Sequence, residues 1–155
     1  MRLGFVMLAA AAIALPTAAI ADQATGWAKW EAKAAEILAA VQAPGHSEAK
    51  RQSVKQACKG VTGTVIGQGF AFPRWAQGLM PMCADIDDIV GGDREVARRN
   101  WRNQCRSIKN YRDQLGKATP VAIAPTAHEK ALALASFLGS YYESECAHGL
   151  ERSRD

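Results

Sequence analysis

A chain of 155 residues that is 48% hydrophobic and 22% charged is neither disordered, collagen-like nor of low complexity. Its length fits one globular domain. Neither these figures nor the formal charge of +4 names an activity.

The first segment, MRLGFVMLAAAAIALPTAAIADQ, has the pattern of a secretory signal. Arg2 supplies the positive n-region, residues 3–15 the apolar h-region, and Pro16 breaks it. Ala19-Ile20-Ala21 then forms a small-residue cleavage motif before Asp22. The apolar run is short against the roughly 20 residues of a membrane span, and no lipobox cysteine follows it. The expected organisation is a signal peptide over residues 1–21 and a single helical domain over 22–155 with a short polar C-terminal tail. The expected location is the periplasm or the exterior, with no transmembrane segment once the signal is removed.

Strand signals are nearly missing; residues 61–66 and 121–123 are β-like but do not alternate cleanly. The spacing predicts a first helix over residues 24–41, with Trp27, Trp30, Ala34, Ile37, Leu38 and Val41 recurring at steps of three and four. Pro44-Gly45 ends it. A second starts after Ser47, a good N-cap with Glu48 in the first turn, and carries Val54, Cys58, Val61 and Val65. Gly60, Gly63, Gly67 and Gly69 weaken its second half, each interior glycine costing about 1 kcal/mol against alanine; fraying is expected near Gly67. A third runs over residues 73–90, with Trp75, Leu79, Met82, Cys83, Ile86, Ile89 and Val90 on its apolar face. Pro81 should kink or split it, and Gly91-Gly92 stops it. The fourth, from Asp93 to Gly116, has a narrow stripe of Ala97, Trp101, Cys105, Ile108, Tyr111 and Leu115. The fifth opens at Thr126 with a capping-box pattern to Glu129 and passes through Leu134 and Leu138 to about Leu150. The expected fold is all-α: an irregular antiparallel bundle of about five helices.

Cys58, Cys83, Cys105 and Cys146 lie one each on the second to fifth helices. An oxidising compartment pairs thiols, so two disulfides are expected. Metal-type spacing is absent: there is no C-x-x-C, no haem-attachment C-x-x-C-H and no H-x-x-x-H. No metal or other cofactor is expected. If the turn between helices two and three centres near Phe70, Cys58 and Cys83 stand almost equally far from it and share a level. Cys83 and Cys105 straddle Gly91-Gly92 unevenly, by about 7 Å of helix. Cys58–Cys83 with Cys105–Cys146 is the favoured pairing.

The most distinctive candidate surface is on the fourth helix. At 100° per residue Arg98, Arg102, Arg106 and Lys109 share one flank, with Arg99 beside them, opposite the apolar stripe. Guanidiniums in a row suit carboxylates or phosphates. The expected activity is binding of a macromolecule, an acidic protein or an envelope component, of inhibitor, immunity or accessory type. A solvated charge stripe is the plainer reading of the same residues. Nucleic acid is not an expected partner, because Trp101 points to the core and the compartment argues against it.

The acidic run of Asp85, Asp87 and Asp88 lacks the glycine and glutamate an EF-hand needs, since Val90 and Val96 stand there. Tyr141, Glu145 and His148 share one face of the fifth helix and form the alternative site, for a small ligand or metal. Glu145 and His148 make the single E-x-x-H, whereas di-iron bundles use two. There is no G-x-S-x-G, H-E-x-x-H or P-loop, and the chain is read as a non-enzyme.

Overall fold

The computed structural model describes the backbone of residues 17–44, 47–91 and 94–152, and the side chains of 20–44, 47–87 and 103–140. The elements are α1 (Thr17–Gln42), α2 (Glu48–Cys58), α3 (Val61–Val65), α4 (Arg74–Gln77), α5 (Leu79–Gly91), α6 (Arg94–Gly116) and α7 (Ala127–Arg152). Five are long; α3 and α4 are about one turn each. The long helices form an antiparallel all-α bundle. Among the described residues there is no sheet, and Val121 and Ala124 make one isolated bridge within the loop before α7. Around the bundle α1 packs on α2, α2 on α5, α5 on α6, α6 on α7, and α7 back on α1.

The predicted stripe of α1 is the inward one: Trp27, Trp30, Ala34, Ile37 and Val41 are buried. Opposite them lie Leu79, Met82 and Ile86 of α5, Leu115 of α6 and Leu134 and Leu138 of α7. Burying a large apolar side chain is worth about 1.5–3 kcal/mol, so this shared core sets the helix order. Trp30 is fully buried, and its Nε1–H donates to the Ala76 carbonyl at 2.9 Å. That bond spares the core an orphaned donor.

Helix ends follow local chemistry. Ser47 caps α2, its hydroxyl accepting from the Lys50 N–H at 3.2 Å. At the other end Lys33 of α1 donates to the Ala57 carbonyl at 3.0 Å and pairs with Glu36 at 2.6 Å. The expected fraying near Gly67 comes earlier. Gly60 adopts φ +75°, which ends α2 at once, and α3 restarts behind it. The third predicted helix is split into α4 and α5 at Gly78, three residues before Pro81. Pro81 has no N–H to offer the Gln77 carbonyl, so the ladder breaks one turn upstream and the proline falls in the first turn of α5, where it costs least. At the start of α7 the Thr126 hydroxyl donates to Glu31 of α1 at 2.6 Å, tying the two helices together, and accepts from Lys130 at 2.7 Å.

The cysteines require a correction. Cys58 and Cys83 are bridged as the register predicts, with Cα atoms 5.8 Å apart, inside the range a disulfide accepts. The expectation of two staples is not sustained: one disulfide is described. Cys105 is half-buried on α6 and is not a free thiol. Cys146, the other half of the expected second pair, lies where side chains are outside the described residues.

Candidate functional site

α6 turns two unlike faces outward and inward. Inward are Gln104, Ile108 and Leu115, with Tyr111 half-buried beside them. Outward are Arg106 and Lys109, both exposed. They stand three residues apart and so share a face. Neither joins an ion pair or hydrogen bond among the described residues. Some cations elsewhere are engaged: Lys33 with Glu36, Arg51 with Glu48 at 3.3 Å, and Lys130 with Thr126 and, at 4.0 Å, Glu31. Lys29, Lys59, Arg74 and Lys117 are exposed and, among the described residues, unengaged like Arg106 and Lys109, but lie dispersed over other elements. Arg98, Arg99 and Arg102 belong to the same helix, but their side chains lie outside the described residues. Arg112, one turn beyond Ile108, crosses toward α7 instead: a Cβ at Gly139 would stand 3.5 Å from its Nη1. Charge is concentrated here. α6 holds seven basic and two acidic residues, a surplus of five in a chain whose formal charge is +4. The rest of the molecule is close to neutral.

Between α5 and α6, burial pushes the Tyr111 phenol up to about 12; the Asp85 carboxylate adds to this and a hydrogen bond with Ser107 opposes it. The acidic run is therefore not simply a solvated helix face. Asp85 is half-buried with Oδ2 enclosed, and its charge reaches Tyr111 of α6. Asp87 is half-buried, and the side chain of Asp88 lies outside the described residues. Among the described residues no group of His, Cys, Asp and Glu could hold a metal ion.

A third feature has no signal in the residue spacing. Trp27, Trp30, Phe72 and Trp75 pack ring against ring with centroids 4.8–5.8 Å apart. His128 of α7 closes the group, its ring edge-on to Trp75 at 5.6 Å and its Nε2–H donating to the Leu115 carbonyl at 2.8 Å. The histidine thus caps the last turn of α6 while sealing the aromatic box. Periodicity places each tryptophan on its own helix face but carries no sign of which face meets which. Next to the box, Val65, Ile66, Phe70, Phe72 and Met80 line an open, largely apolar groove of about 490 Å³.

The alternative site does not gain definition. Tyr141, Glu145 and His148 lie on the backbone of α7, but all three side chains are outside the described residues. No helix among the described residues is long and apolar enough to cross a membrane. No protein-family model, no curated protein and no solved structure matches this chain.

Proposed function

We propose that this is an exported helical protein that works by binding, and that the outer face of α6 captures an acidic protein or an acidic component of the envelope. The observation that carries this is the state of Arg106 and Lys109. They are exposed and make no ion pair among the described residues, on the helix that holds the chain's charge surplus. A cation already neutralised by its own fold has little left for a partner; these two have not been neutralised. Arg98, Arg99 and Arg102 extend the same helix and complete the proposed surface. A non-enzymatic role is part of this reading.

The test is capture from the native envelope fraction, comparing the protein with a variant in which Arg98, Arg102 and Arg106 are all alanine. Exposed pairs are worth about 0.2–1 kcal/mol each, so the triple variant should hold its partner about tenfold more weakly. Raising the salt should weaken the unaltered protein in the same direction, because exposed charges are screened. Capture that is indifferent to both changes overturns the proposal.

A further inference from the structure

Exposure along α1 changes abruptly at one residue. Ile20, Ala21, Asp22, Gln23, Ala24 and Thr25 are all exposed, Ile20 at 59%. Gly26 and Trp27, the next two, are buried. At Gly26 the packing is so close that a Cβ would lie 2.4 Å from Cε1 of Phe70. Among the described residues the packed part of α1 therefore begins at Gly26. The Thr25 hydroxyl turns back to the Ala21 carbonyl at 2.9 Å, a bond inside the overhang itself. Such a terminal turn opens at almost no cost.

A residue's worth at a helix depends on whether it is inside or at the end. Asp22 is now internal, where aspartate is a poor helix former. At an N-terminus it is among the best caps, because its carboxylate accepts the orphaned N–H groups two and three residues on and favours the positive end of the helix dipole. From Asp22 to Thr25 is one turn, enough to hold a cap before the packed residues begin.

We propose that the bond between Ala21 and Asp22 is hydrolysed by a leader peptidase, and that the cut passes the N-cap of α1 to Asp22. In the hydrolysis the C–N bond breaks, water's hydroxyl goes to the Ala21 carbonyl carbon, and the Asp22 nitrogen takes up the proton. Small Ala19 and Ala21 stand third and first before the bond, as such a peptidase requires, and the exposed turn can unwind into it. Among the described residues the cut severs no core contact, and it frees the N–H groups of Ala24 and Thr25 for the Asp22 carboxylate. This rests on the reading of the chain as exported.

Two measurements test it. The protein is isolated from the envelope and cytosolic fractions of producing cells and its N-terminus read by intact mass. Asp22 at the N-terminus of envelope protein supports the proposal. Envelope protein with any other terminus overturns the cleavage site while leaving export standing. Uncut chain confined to the cytosol overturns both. Asp22→Ala is then compared in the cut protein and in full-length chain from cell-free translation. The cut form should lose about 2–6 °C of thermal midpoint, and the full-length form should hold or gain, since alanine is the better interior residue. Asp22→Asn, which still caps, should leave the cut form unchanged. Equal shifts of the alanine variant in both forms overturn the transfer of the cap.

Discussion

Two regions of the bundle are held together by different means. Where α1, α4 and the start of α7 meet, Trp27, Trp30, Trp75, Phe72 and His128 interlock, and ring packing fixes the geometry without a covalent link, helped by the bonds of Trp30 to Ala76 and His128 to Leu115. Where α2 meets α5, the side chains are smaller and the chain is interrupted by Gly60, and there the Cys58–Cys83 bond spans the contact. Large rings carry both area and shape, so their fit excludes other registers. Valines and alanines flanked by glycines tolerate a slip of one turn, and a covalent bond removes that freedom. The chain uses sulfur where its side chains say least about register.

The comparison can be broken most sharply at Trp30. Trp30→Ala should cost about 3–5 kcal/mol in urea unfolding, a large part of the stability of a domain this size. A loss below about 1 kcal/mol would show that the aromatic end is not the anchor claimed for it. Removing the bridge by Cys58→Ser with Cys83→Ser should cost about 3–4 kcal/mol, because a loop closed over a separation of 25 residues is set free in the unfolded chain. Hydrogen exchange should then rise in α2 and α5 first and leave the amides around Trp30 protected; a uniform rise would mean the two regions are one.

Two glycines sharpen the same contrast. Gly26→Ala drives a methyl into Phe70 and should cost about 1–3 kcal/mol by overpacking. Adding Phe70→Ala should relieve part of that loss. Gly63→Ala, with nothing within 4 Å of its new Cβ, should instead stabilise α3 by up to about 1 kcal/mol. The effect confined to alkaline solution is at Tyr111. A folded phenol raised to about 12 from its ordinary 10 binds its proton more tightly than the unfolded one does. Stability from this source is complete below pH 10 and is lost as pH rises toward 12. Urea midpoints measured between those values should fall less steeply in Tyr111→Phe than in the parent.

Several features were legible because they are local. The apolar spacing of α1, the Ser47 cap and the balanced placing of Cys58 and Cys83 each follow from counting residues along one or two helices. Pro81 signals a break by its missing N–H, and that loss is felt one turn earlier, at Gln77 and Gly78. Helix position alone does not reveal that Asp85 lies within electrostatic reach of Tyr111 on α6. His128 had no signature at all: its value lies in reaching the end of a different helix. Of the candidate basic face, Arg106 and Lys109 are described and exposed, whereas Arg98, Arg99 and Arg102 add sequence position only. For Tyr141, Glu145 and His148 the helix is described and the side chains are not.

The crowding of Trp27, Trp30 and Trp75 within 6 Å of one another gives the molecule an uneven optical character. Indoles at that spacing exchange excitation, so their ultraviolet emission and absorption act as a joint signal from one corner of the bundle. A spectroscopist following the unfolding of this protein by tryptophan light is therefore watching α1 part from α4 through three of the four tryptophans, with Trp101 of α6 as the one separate reporter.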